Sequence, residues 1–279
     1  MDSIPAKVIY HCYHGYPPSL RAAAAHLRRP LAAPRAGAAA PGRLVLMGRG
    51  TLGEEVYALS RRGAGPIAER ALRSVARSFG APDGAIAVID ASRFPDPLQA
   101  VRLAGQTLTQ ASFPRPIPAG EVWPRVVYVC YGSAHSSIVA ANLHLGRLPD
   151  SRRALPGELL AAPRFDQMPH NQIGTLLDMG QDAEGHRVYA LGLGSGRDIL
   201  GHAVLDLVAT LGLPSDSVLL VDALTGVHAT TRVGGFLSRR LGLVRIGRPL
   251  VVAGILADYD RFLGLVRGVR QRLARREFS

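Results

Sequence analysis

The sequence predicts an α/β protein built from two tandem repeats, each a mainly parallel sheet with helices on both faces, packed as a pseudo-dimer within the chain. Three observations lead there. The chain repeats itself. Its buried-looking strands alternate with helical stretches. Its composition, 47% hydrophobic and 19% charged over 279 residues, supports real cores and argues against global disorder.

The repeat begins with Tyr10, Cys12, Tyr13, Ser19, Ala22, Ala23, His26 and Leu27. These recur 118 positions on as Tyr128, Cys130, Tyr131, Ser137, Ala140, Ala141, His144 and Leu145. Beyond them the offset becomes 132, so that Gly42, Leu44, Met47 and Gly48 match Gly174, Leu176, Met179 and Gly180. The run Val56–Leu59 returns as Val188–Leu191, both VYAL, and Gly80, Pro82, Asp90 and Ala91 return as Gly212, Pro214, Asp222 and Ala223. The change of offset means 14 extra residues in the second copy, ahead of a strand pair. The proline-rich stretch Pro114–Arg125 joins the copies, which sets residues 1–120 as a degenerate first repeat, 121–125 as linker and 126–279 as the repeat carrying the candidate site.

The elements follow from local pattern, taken along the second copy. Val126–Cys130 is a continuous apolar run and reads as a buried strand; Ser137–Leu145 is helical and closed by Gly146. Thr175–Met179 and His186–Leu191 read as a strand pair across a polar, glycine-ended turn. Ile199, Val204, Leu207, Val208 and Leu211 make an amphipathic helix stopped by Gly212 and Pro214. Val218–Val221 is a strand, Thr230–Leu241 a helix, Leu250–Ile255 a strand, and a basic helix starts near Asp260.

Bulk properties limit the partners. The net charge of +12 is almost wholly arginine, Lys7 being the only lysine, and the arginines are scattered among few aromatics. A nucleic-acid surface gathers basic residues with stacking rings, so nucleic acid is not favoured. Two cysteines without a CxxC pair exclude metal-finger and disulfide-scaffold classes. No signal pattern opens the chain, and the longest apolar run near its end, Leu250–Ala257, is far short of a membrane span. A soluble, cytoplasmic protein with no membrane partner is expected. No cofactor is named by any motif.

The sharpest chemical feature is Cys130 at the end of a strand, followed by the loop Tyr131–Ser137 and a helix. The first N–H groups of such a helix lack intrahelical partners and suit an anion or a nearby thiolate. Cys130 is the candidate nucleophile, Gly132, Ser133, Ser136 and Ser137 the candidate cradle, and His135 a candidate proton carrier. Asp166, in a segment the first copy does not have, is a candidate general acid. Gly194 and Arg197 in GLGSGRD, and Arg239 and Arg240 in RVGGFLSRRLGLVRIGRP, are further candidates for holding a small anionic ligand. Each also has a structural reading: a packed cysteine, an exposed loop histidine, an ordinary glycine turn, a solvated arginine helix. His144 recurs as His26 in a copy without the loop chemistry and is read as structural.

The cysteine loop is similar to those of low-molecular-weight tyrosine phosphatases and phosphotransferase IIB subunits over about twenty residues. The phosphatase arginine is replaced here by Ser136. That departure weakens a phosphatase reading and suits the IIB-like case, a thiolate held by amides and hydroxyls. Over Arg125–Val269, the combination CYGSAHSS, VYALG and GGFLSRRLGL…IGRP resembles an uncharacterised domain-of-unknown-function family from endospore-forming bacteria. That resemblance implies a small α/β domain and brings no reaction. Two function classes stand open: an anion-binding protein with thiol-dependent phosphoryl chemistry, and a non-catalytic binding or regulatory module whose cysteines only pack.

Overall fold

The computed structural model describes residues 3–12, 16–28, 42–59, 66–114, 122–214, 216–224 and 244–275. The chain forms two compact units: Met1–Gly120 with Leu193–Ser215, and Glu121–Gly192 with Asp216–Ser279.

In the first unit β1 (Ser3–Pro5) leads to β2 (Lys7–His11), then α1 (Tyr16–His26), β3 (Leu44–Arg49), β4 (Glu55–Leu59), α2 (Pro66–Ser78), β5 (Ile86–Asp90), α3 (Pro97–Thr107) and β6 (Ser112–Pro114). The main sheet runs β3-β4-β2-β5, with β2 parallel to β4 and β5 and β3 antiparallel at the edge. All five residues of β2 are buried, as expected of a central parallel strand covered on both faces. Val8 and Tyr10 pack with Ala22 and Ala23 of α1 and Ala100 and Ala104 of α3. The pair β1–β6 is antiparallel and three residues long, too short for any periodicity to announce it.

In the second unit β7 (Val122–Cys130), α4 (Ser136–His144), α5 (Pro156–Ala161), β8 (Leu176–Gln181) and β9 (His186–Gly192) come first. After α6 (Arg197–Thr210), which clusters with the first unit, follow β10 (Val218–Asp222), α7 (Val244–Ala257) and α8 (Tyr259–Arg275). Its sheet runs β8-β9-β7-β10, parallel except at β8, which repeats the first sheet strand for strand. Even the irregularities agree: the edge strands bulge at Leu46/Gly48 and at Asp178/Gly180, 132 residues apart, with both glycines at positive φ.

The helices α2 and α6 show why a repeat folds twice the same way. Their buried stripes, Ala68, Ala71, Leu72, Val75, Ala76 and Leu200, Ala203, Val204, Leu207, Val208, have the same i, i+3, i+4, i+7, i+8 spacing. Within the first unit α6 packs on α2, and Asp206 ties it to β3 by accepting from Arg43 Nε and the Leu44 N–H, both at 2.8 Å.

Two sequence expectations need comment. Leu250–Ile255 is part of helix α7, not a strand. The β-branched valines suggested a strand, but Val251, Val252, Gly254, Ile255, Asp258 and Tyr259 are buried while Leu250 and Ala253 are exposed. That is a helical period, not alternation. The helix expected at Thr230–Leu241 lies outside the described residues. The basic helix near Asp260 is α8, and its charge has local work: Arg270 donates to the Leu143 and His144 carbonyls (3.1 and 3.0 Å) at the end of α4. Among the described residues no helix is long and apolar enough to cross a membrane.

A buried polar chain recurs in both units. In the first, Tyr10 Oη donates to His26 Nδ1 (2.8 Å) and His26 Nε2 donates to Glu54 Oε1 (2.7 Å). In the second, Tyr128 Oη donates to His144 Nδ1 (2.8 Å) and His144 Nε2 donates to Asp182 Oδ2 (3.1 Å). An ionised carboxylate only accepts, which fixes the proton on Nε2 and leaves Nδ1 as acceptor. Yet Glu54 and Asp182 are not equivalent positions. At offset 132, Asp182 corresponds to Gly50 and Glu54 to His186. The turns superpose in bonding, with Gly50 N–H on the Glu54 carbonyl (2.9 Å) and Asp182 N–H on the His186 carbonyl (3.0 Å). A Cβ at Gly50 would stand 2.2 Å from Glu54 Oε1, so the glutamate carboxylate occupies the space that a side chain at position 50 would enter. The carboxylate has changed sides of the turn while keeping its histidine.

Two outcomes are expected. Gly50→Asp alone forces two carboxylates together and lowers the unfolding free energy by roughly 2 kcal/mol or more. Gly50→Asp with Glu54→His recreates the second-copy arrangement and recovers most of the loss in a denaturant titration. The second concerns acid. His11 has no exposed surface, and neither ring nitrogen has a hydrogen-bond partner among the described residues; burial pushes its pKa down to about 4, against an opposing pull from Asp90. Burial likewise lowers that of His144. A folded pKa below the unfolded value means that the unfolded chain takes up protons first. The stability contribution is therefore complete above about pH 6.5 and declines as pH falls toward about 4. His11→Val, which installs the residue found at the equivalent Val129, removes on the order of 3 kcal/mol of that acid sensitivity in unfolding curves collected across this window.

Candidate functional site

The candidate site is built where β7 ends. Cys130 is the last residue of β7 and pairs in register with Gly192, the last of β9. A Cβ at Gly192 would lie 2.9 Å from both Gly132 C and Ser133 N, so the loop after Cys130 rests directly on the end of β9 and only glycine fits there. Sequence reading took this glycine as the start of the loop GLGSGRD and singled out Gly194 within it; in the structure Gly192 closes the strand.

The sulfur has polar neighbours. Ser133 N–H donates to Cys130 Sγ at 3.1 Å, and Ser137 Oγ lies 3.0 Å from it. Cys130 is 4% exposed, and Ser133, Ser136 and Ser137 are buried with it. Ser133 holds a left-handed backbone (φ 49), which aims its N–H back at the sulfur three residues earlier. Its hydroxyl has no hydrogen-bond partner among the described residues. Gly132 is buried in the same turn, while Tyr131 is half exposed at the rim. Ser136 and Ser137 are the first two residues of α4, and His135 precedes the helix without capping it by side chain.

The segment that the first copy does not have folds back over this loop. Asp166 N–H donates to the Ala134 carbonyl (2.9 Å), and His135 Nε2 meets Asp166 Oδ1 at 3.0 Å. The His135 ring stands edge-on to Phe165, with centroids 5.5 Å apart, and Phe165 is buried in the main core. Two residues proposed separately from sequence, His135 and Asp166, are thus one hydrogen-bonded pair. Phe165 seats the pair.

The other candidates are placed elsewhere or not described. Gly194 and Arg197 belong to the segment that joins the first unit. There Gly194 (φ 62) opens the short 3-10 turn Gly194–Gly196, with Ile67 Cδ1 2.9 Å from where its Cβ would be, and Arg197 begins α6 with Asp198 at 4.0 Å. Arg239 and Arg240 lie outside the described residues. His144, read as structural, is the centre of the buried Tyr128–His144–Asp182 chain. The first copy keeps Cys12, fully buried, but has Pro17 where His135 stands. A cleft of about 280 Å³ lined by Arg73, Arg77, Pro82, Asp83, Gly84 and Thr107 lies in the first unit and shares no residue with the Cys130 loop. Among the described residues no group of three His, Cys, Asp or Glu side chains could hold a metal ion.

No curated protein and no solved structure matches the chain. A family described as protein of unknown function (DUF3189) matches twice, over residues 34–110 and over 125–271. The second match spans the Cys130 loop, the His135–Asp166 pair and the Tyr128–His144–Asp182 chain; the first spans the β3–β4 turn that carries Glu54. With most of its length so matched, the chain belongs to the DUF3189 family, which it carries as two segments in one polypeptide.

Proposed function

We propose that the second copy binds a phosphate-bearing or similar anionic small molecule at the Cys130–Ser137 loop. The observation that carries this reading is the surroundings of the sulfur: a backbone N–H and a serine hydroxyl at 3.1 and 3.0 Å, at the N-terminus of a helix and the carboxyl end of a parallel strand. Ligands gather at the carboxyl ends of strands in α/β sheets, and helix N-termini offer unpaired donors to anions. In the chemistry that this suits, the Cys130 thiolate, its proton released to water, attacks phosphorus, and an S–P bond forms as the P–O bond to the leaving group breaks. The leaving oxygen takes its proton from His135, held in orientation by Asp166 at 3.0 Å.

The second reading is a binding or regulatory module without chemistry, in which both cysteines pack. It draws on their burial, Cys130 at 4% and Cys12 at 0% exposed. The two readings part on substitution. Under the first, inorganic phosphate and phosphorylated metabolites raise the melting temperature of the full chain, Cys130→Ala removes that rise, and Cys12→Ala leaves it. Equal melting shifts in both variants, or none in the unaltered chain across a panel of phosphorylated metabolites and nucleotides, sink the first reading.

A further inference from the structure

The first copy has a cleft of its own. It measures about 280 Å³ and lies where three elements of the first unit meet: the last turns of α2, the connection from α2 to β5, and the end of α3. Arg73 and Arg77, four residues apart on α2, line it together with Asp83. Ala76, Ala81, Pro82 and Ile86 add an apolar wall. Small-molecule pockets start near about 300 Å³, so the cleft suits a ligand of few atoms rather than a nucleotide.

Like charges at i and i+4 share one face of a helix and repel. The two guanidiniums are held differently. Arg77 Nε donates to Asp83 Oδ1. Arg73 meets Glu69, which is not part of the lining, through Nη2 at 3.3 Å, and its Nε is buried with no hydrogen-bond partner among the described residues. A charged donor taken from water and given no acceptor costs stability, and a ligand oxygen offsets that cost. The second copy has none of these charges. At offset 132, Arg73, Arg77 and Asp83 become Leu205, Ala209 and Ser215, on a helix with the same buried stripe. The helix therefore forms and packs without them, and folding does not account for their presence in the first copy.

We propose that this cleft binds a small aliphatic carboxylate, its oxygens on Arg73 and Arg77 and its hydrocarbon chain against Ala76, Ala81 and Ile86. The charged lining is two guanidiniums and one carboxylate, a balance that a monoanion completes and a dianionic phosphate overshoots. The apolar wall favours a ligand with a hydrocarbon body over a bare ion. The proposal is independent of the anion reading at Cys130. It gives the first copy a site of different chemistry, so the two halves of the chain are specialised separately.

Saturation-transfer NMR observed on butyrate, with the full chain and with ionic strength held constant by chloride, tests it. The unaltered chain binds butyrate saturably. Arg73→Leu with Arg77→Ala, the residues of the second copy, weakens binding roughly tenfold or more. Arg93→Gln with Arg102→Gln removes two exposed charges outside the lining and leaves affinity unchanged, as does Cys130→Ala. Formate, which has no hydrocarbon chain, competes roughly tenfold or more weakly than butyrate, and inorganic phosphate competes no better than formate. If the double variant at Arg73 and Arg77 fails to fold, Arg73→Gln and Arg77→Gln replace it singly. Absence of saturable binding, equal affinity with and without the two arginines, or loss of binding in Cys130→Ala overturns the proposal. Equal weakening by the variant at Arg93 and Arg102 reduces the effect to net charge and also overturns it. Formate or phosphate competing as well as butyrate overturns the assignment of an aliphatic carboxylate.

Discussion

The rest of each unit leans on one buried chain of hydrogen bonds, from a tyrosine hydroxyl in the central strand through a histidine to a carboxylate in the edge hairpin. In the second unit it joins three elements through side chains: β7 by Tyr128, the end of α4 by His144, and the β8–β9 turn by Asp182. Asp182 also accepts from the His186 backbone N–H at 2.7 Å, and His186 Nδ1 lies 3.2 Å from its other oxygen, so both oxygens are engaged. Burial raises the Tyr128 pKa and lowers that of His144, which keeps the hydroxyl and the imidazole neutral. A fully satisfied polar network in a low-dielectric interior is directional in a way that leucine packing is not.

That direction reaches the candidate site because α4 is short. Its nine residues run from Ser136, beside Cys130, to His144. The histidine and the Arg270 guanidinium hold one end, while Gly192, pressed against Gly132 and Ser133, seats the loop at the other. A rod pinned at its far end and seated at its near end presents its first amides in one orientation. Pre-organisation of donors of this sort is what anion binding and thiol chemistry draw on. The His135–Asp166 pair then closes the loop from above, through a segment found in one copy only.

Much of this architecture was legible in the sequence because it rests on short-range pattern. Five-residue apolar runs became buried parallel strands, the matched stripes of α2 and α6 became helices, and the duplicated cysteine and histidine positions fell at equivalent places in two like sheets. What failed was where two periods compete. Val251 and Val252 favour a strand by type, yet their neighbours bury with a helical period against Tyr259 and Phe262. The site was half legible. Cys130, His135 and Asp166 were singled out by residue type, but their connection depends on a chain reversal between Pro156 and Asp166 that no local rule encodes. Gly192 and Phe165 fall in stretches that sequence marks, GLGSGRD and the longer connection, but their parts as a close approach and as a packing seat need the fold. The equivalence of Glu54 and Asp182 was hidden for a simpler reason: aligned residue by residue, each copy looks as though it has lost a carboxylate.

The relocated carboxylate has a consequence for the gene. Two related stretches in one reading frame are substrates for recombination with each other, which tends to homogenise them. A crossover between the codons for positions 50 and 54 would yield one turn with Gly and His, leaving the imidazole without its anion, and one with Asp and Glu, crowding two anions at one imidazole. Both products lose stability at that turn. Exchange of this turn between the copies is therefore selected against unless both positions move together, a constraint set by one carboxylate's place in space.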